Sequence, residues 1–87
     1  MSLYRVDRHL GPMTEGDLDA ASFRSASCIP HFVGLVWVRS YFDPQAEQMT
    51  CYYEAEQPDD IRLHARMAHI PCDTVTEVRE YLPDAYR

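Results

Sequence analysis

The sequence predicts an α+β domain of the ferredoxin-like type, with the element order β-α-β-β-α-β. Three observations lead to this prediction: four segments have strand-like composition or alternation, two segments between them carry helix-start signals, and Gly or Pro residues separate them. In this topology, one four-stranded antiparallel sheet of order 4-1-3-2 carries both helices on one face. The 87 residues fit one domain, 1–87, in which we expect residues 79–87 to form a loose polar tail.

The first strand is predicted at Leu3–Leu10, where the segment LYRVDRHL alternates between two sides. Tyr4, Val6 and Leu10 share one side, and the opposite side is mainly polar, with Leu3, Arg5, Asp7 and His9. After Gly11-Pro12, Thr14 and Asp17 match the Ser/Thr-x-x-Asp/Glu capping signature. A helix is therefore predicted to begin there, and Pro30 to end it, because proline lacks the N–H that a helix interior needs.

The second strand has the strongest strand signal, with β-branched and aromatic residues throughout 33–42. Asp43-Pro44 predicts a turn, and Gln48–Ala55 predicts the strand that returns antiparallel to it. Pro58, followed by two aspartates, starts a second helix that we expect to reach about His69. The last strand is predicted at Thr74–Glu80.

The second strand is apolar or aromatic on both sides, with Val36, Val38 and Phe42 expected on one and Leu35, Trp37 and Tyr41 on the other. The two helices can cover only one face of the sheet, and a strand that is apolar on both faces implies that both are covered. We therefore expect a homodimer in which the open sheet faces of two chains pack together. The alternative is a partly exposed aromatic strand at a sheet edge.

Charge and composition exclude several classes of function. The formal net charge is −6 and no run of basic residues occurs, so binding to nucleic acid or to an anionic membrane is not expected. No apolar segment reaches the length of a membrane span, and the N-terminus lacks the apolar core of a signal peptide. Three widely spaced cysteines favour reduced thiols, and we expect a cytoplasmic protein.

The segment RLHARMAHIPC (62–72) brings two histidines and a cysteine close together in sequence. His64 and His69 are five residues apart, which separates them by roughly 140° around a helix, so they cannot chelate one ion as a pair spaced by three or four residues does. His64 borders the stripe that faces the sheet, either as a hydrogen-bonded core histidine or as a ligand. His69 falls at the helix end and Cys72 in the following turn, positions that favour structural roles.

The polar side of the first strand suggests a second kind of site. This strand is central in the predicted order, and a dimer partner would bury Arg5, Asp7 and His9. Buried charges need partners or a ligand, so these residues define either a small-molecule cavity or a self-satisfied ion-pair network.

Five segments together resemble a known family: YRVDR at 4–8, WVRSY at 37–41, CYYEA at 51–55, RLHARMAHIP at 62–71 and TEV at 76–78. Their order and spacing are similar to those of a small actinobacterial-type family of domains of unknown function, which includes a nickel-binding protein with a dimeric ferredoxin-like fold. The family commonly has glycine where this chain has His69. The resemblance implies a homodimer and a nickel ion or another divalent transition metal as cofactor. Within the matching segments, the residues able to bind such a metal are Cys51, Glu54 and His64.

Three hypotheses follow. The first is a small cytoplasmic homodimer that binds nickel and is not an enzyme. The second is an enzyme or ligand-binding protein of the dimeric α/β-barrel type, in which Arg5, Asp7 and His9 would bind a small substrate and supply acid or base. The third is an interaction module, which pairing of Arg5 with Asp7 would favour.

Overall fold

The structure is a computed structural model that describes all residues, 1–87. The chain forms four strands and two helices in the predicted order: β1 (Ser2–His9), α1 (Glu15–Cys28), β2 (Val36–Asp43), β3 (Gln48–Ala55), α2 (Pro58–Met67) and β4 (Thr74–Val78). Short 3₁₀ helices follow α1 at Ile29–His31 and β4 at Pro83–Tyr86. No helix is long and apolar enough to cross a membrane.

The strands form one antiparallel sheet of order β2-β3-β1-β4, which is the predicted order counted from the other edge. In the register of the sheet, Val6 of the central strand β1 lies opposite Cys51 of β3 on one side and Val75 of β4 on the other. The predicted small α+β fold of the ferredoxin-like type is thereby confirmed.

Local sequence explains where each helix begins and ends. Thr14 and Asp17 exchange hydrogen bonds between side chain and backbone, so the predicted capping box is present. Pro58 occupies the first turn of α2, where a backbone N–H has no acceptor within the helix, so the lack of one in proline breaks no hydrogen bond. This helix ends at Met67, before the expected His69, because His69 adopts a left-handed conformation with a φ of 56°.

The core lies between the helices and one face of the sheet. It is built from alternate residues of the two central strands and from the inner face of α2. Its buried apolar members on these elements are Tyr4, Val6, Cys51, Tyr53, Ala55, Ile61 and Ala65. Three polar residues, Arg8, Ser25 and His64, are as fully buried as these.

Strand β2 differs from the prediction in its start and in its alternation. It begins at Val36 because Gly34, with a φ of 80°, turns the chain just before it. A β-bulge between Trp37 and Arg39 then shifts the register against β3. The expected grouping of Val36 with Phe42 is therefore wrong. Val36 and Tyr41 pair with residues of β3 on the open face of the sheet, which the helices do not cover. Trp37 and Phe42 pair with residues of β3 on the face that the helices cover.

The segment after β4 leaves the sheet edge and approaches the opposite edge strand. Glu80 forms an ion pair of 3.2 Å with Arg39 of β2. Because β3 and β1 separate β2 from β4 in the sheet, Glu80 and Arg39 meet over its open face. The final residues, including the 3₁₀ helix at Pro83–Tyr86, are exposed.

Candidate functional site

His64 lies entirely inside the core, on the face of α2 that meets the sheet, and is 0% exposed. Its Nε2 lies 2.9 Å from the backbone oxygen of Ser25 in α1, so Nε2–H donates and Nδ1 carries the lone pair. Nδ1 is buried and has no hydrogen-bond partner. Burial lowers the pKa of His64, and nearby Arg8 lowers it further, against the opposing hydrogen bond to Ser25. The imidazole is therefore neutral at physiological pH.

Arg8 is the second buried polar group and is only 1% exposed. It shares the helix side of β1 with Tyr4 and Val6. Its Nη1 donates to the backbone oxygen of Pro71 at 2.6 Å, and its Nη2 donates to the Tyr53 hydroxyl at 3.3 Å. No carboxylate forms a salt bridge with it. Although burial acts to lower its pKa, the surrounding Tyr53, Cys51 and Cys72 produce a net rise, so Arg8 stays charged.

Tyr53 connects the two helices to this guanidinium. Its hydroxyl lies 3.3 Å from Oγ of Ser25, and its ring packs against the ring of His64 at a centroid distance of 5.6 Å. Burial raises the pKa of Tyr53, so the phenol remains protonated. Arg8, Ser25, Tyr53 and His64 therefore form one connected polar cluster within the apolar core.

The three residues expected to bind a metal do not converge. His64 and Cys51 lie on the helix side of the sheet, whereas Glu54 is exposed on the open face, opposite Leu3 and Val36. No group of three or more His, Cys, Asp or Glu side chains is placed to hold a metal ion. His64 supplies one free lone pair, but the buried guanidinium of Arg8 disfavours a cation beside it. Within one chain, this set does not fit a divalent metal.

The predicted cavity residues on β1 are placed as expected, on the open face. Arg5 Nε donates to Asp7 at 3.2 Å, and the Asp7 carboxylate also accepts from the hydroxyls of Thr50 and Thr74. His9 is exposed at the strand end, where its backbone N–H donates to Asp73. Arg5 and Asp7 thus belong to a self-satisfied network, which favours the interaction-module hypothesis, and His9 lies outside it.

The open face also contains a shallow depression of about 380 Å³. Three of its lining residues are arginines, and two tyrosines line it from β2 and β3. These five residues are Arg5, Arg39, Arg79, Tyr41 and Tyr52. Glu80 also lines the depression, so its lining carries three positive charges and one negative charge beside the aromatic rings, although the chain as a whole is acidic.

The sequence analysis did not identify Arg8, Ser25 or Tyr53 as site residues. The alternation of β1 could have found Arg8, because it places Arg8 on the same side as Tyr4 and Val6. Ser25 follows Ala21 at helical spacing on α1, and nothing in the sequence distinguishes it from a packing residue. The structural role expected for Cys72 is consistent with its half-buried position, where burial raises the pKa of its thiol.

Comparison with known proteins gives a fold match and a family. No curated protein matches the sequence significantly. Among solved structures, that of SCO4226 from Streptomyces coelicolor A3(2) superposes with a TM-score of 0.84, covering 93% of this chain and 100% of that chain. The two sequences are 13% identical, so this likeness concerns the fold. The family model described as "Nickel responsive protein SCO4226-like" matches residues 4–78. The chain therefore belongs to the SCO4226-like family.

Proposed function

We propose that this protein is a cytoplasmic homodimer that binds nickel or another divalent transition metal as part of a nickel response. The observation that carries the proposal is the family match over residues 4–78, whose description names nickel responsiveness. The open sheet face supports the dimer, and the exposed histidines are candidate ligands for the metal.

The dimer is proposed to form through the open face of the sheet. Tyr41 and Val36, both on this face, are 62% and 45% exposed. They lie toward opposite ends of β2, and exposed apolar and aromatic side chains on one sheet face form a surface that a second copy can cover by two-fold packing. In the dimer, the arginine-lined depression would lie between the two sheets.

The test of the dimer is mass measurement by light scattering after size exclusion. We expect twice the mass of one 10.1 kDa chain for the wild type, and the mass of a single chain for the double variant Val36→Asp/Tyr41→Asp. Leu63→Asp is the matched control, because Leu63 is comparably exposed at 48% but lies on α2, which covers the other face of the sheet. A wild type that stays monomeric at high micromolar concentration would exclude this dimer.

The metal ligands are proposed to be exposed imidazoles, because the buried cluster contains a guanidinium. Three of the four histidines are exposed: His9, His31 and His69. Imidazole nitrogen is a favoured ligand of nickel. Of the three, His9 is the one whose backbone N–H donates to a carboxylate, that of Asp73, at 2.6 Å. His9 with Asp73 is therefore the first pair to test.

Metal binding can be tested by equilibrium dialysis of tag-free protein against Ni²⁺, followed by elemental analysis. We expect about one nickel ion or more per wild-type chain, and a lower value for His9→Gln and for Asp73→Asn. Glu54→Gln and His64→Gln are the matched controls and should retain the metal. Retention no greater than in a variant lacking all four histidines would refute nickel binding, and loss only in His64→Gln would place the ligand in the core.

A second function is favoured by the cationic depression: binding of a small organic anion with an aromatic or apolar part. Arg79 forms no ion pair, unlike Arg5 and Arg39. The enzymatic form of this hypothesis needs Asp7 as a base, yet Asp7 already accepts hydrogen bonds from three side chains. Native mass spectrometry would detect a co-purified ligand, which should be lost in Arg79→Gln and retained in Arg66→Gln, a change on α2 outside the depression.

A further inference from the structure

We propose that Arg8, Tyr53 and Ser25 form a buried binding site for one monoatomic anion, with chloride as the physiological ligand. The site is built from β1, β3 and α1. It is independent of the nickel proposal and of the dimer, because it lies on the helix side of the sheet.

The first argument is charge. Arg8 carries a permanent positive charge, is 1% exposed and forms no salt bridge. Buried charges in proteins are paired, because removal of an ion from water costs several kcal/mol. The Pro71 carbonyl and the Tyr53 hydroxyl that accept from Arg8 are neutral, and its further neighbour Cys51 is a thiol, so no carboxylate balances the charge.

The second argument is the count of protons and acceptors. The Tyr53 hydroxyl accepts from Arg8 and shares one hydrogen bond with the Ser25 hydroxyl. If Tyr53 donates in that bond, the proton of Ser25 has no acceptor; if Ser25 donates, the proton of Tyr53 has none. In either arrangement one buried hydroxyl points a proton at something other than the protein. An anion accepts that proton, and it also balances the charge of Arg8.

The third argument is size and lining. A small cavity of about 20 Å³ adjoins these groups, which is room for one occupant of the size of a water molecule or a halide. Its lining contains no carboxylate: one half consists of Arg8, Ser22, Ser25, Cys51 and Tyr53, and the other half of Leu10, Ala21, Trp37, Met49 and Ile70. The Ser22 hydroxyl already donates to Leu18 within α1. The remaining hydroxyl and guanidinium donors favour an anion over a cation, and the volume excludes polyatomic anions such as sulfate.

Thermal unfolding in mixtures of sodium chloride and sodium gluconate at constant ionic strength tests the proposal, because gluconate is too large for the cavity. A ligand that binds only the folded state raises the midpoint by roughly 5–10 °C per tenfold increase in concentration above its dissociation constant. We expect this rise for the wild type and its loss in Arg8→Met. Arg66→Met, which removes an exposed arginine of α2 that forms no ion pair, should respond as the wild type does. A wild-type midpoint that is the same in both salts, or an equal rise in Arg8→Met, would overturn the proposal.

A second measurement applies if Arg8→Met does not fold. Ser25→Ala removes one donor and little volume, and should lower the apparent chloride affinity at least tenfold relative to the wild type. In crystals grown in bromide, we expect an anomalous peak within hydrogen-bond distance of Arg8 and Ser25. A feature at that position without anomalous signal would identify the occupant as water, and the anion site would be wrong.

Discussion

The guanidinium of Arg8 and the hydroxyl of Tyr53 are joined by a hydrogen bond of 3.3 Å between two side chains that are almost completely buried. The guanidinium carbon lies 5.9 Å from the centroid of the tyrosine ring, a distance at which a cation is attracted to an aromatic face. Tyr53 therefore stabilises the buried charge in two ways, through its hydroxyl and through its ring. The consequences can be measured with substitutions that separate these contributions.

Tyr53→Phe keeps the ring and removes the hydroxyl. The change leaves Arg8 Nη2 and the Ser25 hydroxyl without their shared partner, and unsatisfied buried donors each cost about 1–3 kcal/mol. We expect the free energy of unfolding from urea titration to fall by about 2 kcal/mol. The slope of this free energy against urea concentration should not change. Tyr86→Phe is the control, because that tyrosine is 71% exposed in the C-terminal 3₁₀ helix, and should change stability by less than about 0.5 kcal/mol. Equal effects of the two changes would show that the hydroxyl of Tyr53 contributes nothing.

The sequence allowed this core to be predicted in part. Alternation along β1 correctly separated the sides of Tyr4 and Arg5, and helical spacing correctly placed His64 toward the sheet. The bulge after Trp37 could not be predicted, because it depends on the pairing of β2 with β3 rather than on local composition. As a result, the two faces of β2 were assigned wrongly beyond that point.

His64 should make stability depend on pH. Burial lowers its pKa in the folded state, so folding favours the neutral imidazole. This contribution is fully present above the unfolded-state pKa of about 6.5 and is lost as the pH falls below it toward the folded-state value. We expect the free energy of unfolding to decrease between pH 7.5 and 5.5 with a slope of at most about 1.4 kcal/mol per pH unit from this residue.

Urea titrations of His64→Gln measure this contribution against the wild type. The variant should be less stable at pH 7.5, since it disturbs a fully buried position, but its stability should change less with pH over this range. His69→Gln serves as the control, because His69 is exposed, and should retain the wild-type pH dependence. If His64→Gln has the same pH dependence as the wild type, His64 does not titrate differently in the folded and unfolded states.

The three cysteines should differ in reactivity according to burial. Cys51 is 3% exposed, whereas Cys28 is only half-buried at the end of α1. Native protein treated with a maleimide should be labelled at Cys28 within minutes and at Cys51 only on unfolding. Peptide mass spectrometry identifies the labelled residue, and Cys28→Ser is the control for the fast site. Rapid labelling of Cys51 in the folded protein would contradict its position in the core.

The predicted metal ligands include two residues of one motif that face opposite sides of the sheet. Cys51 and Glu54 both belong to the segment CYYEA, yet three residues along a strand reverse the direction of the side chain. The pairing of β1 with β3 confirms this separation, since Cys51 lies opposite Val6 and Glu54 opposite Leu3. Spacing that suits metal ligands on a helix therefore does not suit them on β3. Residues at opposite faces can act on one ligand only through another chain.

His69 occupies the position after α2 at which helices most often have glycine. Its φ is 56°, and its N–H and that of Ile70 bond to the carbonyls of Arg66 and Ala65, which is a Schellman motif. A left-handed conformation costs a non-glycine residue about 1 kcal/mol, so His69→Gly should raise the free energy of unfolding by about 0.5–1 kcal/mol. His69→Ala is the matched comparison: it also removes the imidazole but keeps the Cβ, and should give no gain. If both variants lost stability equally, the imidazole of His69 would have to make a stabilising contact that outweighs the strain.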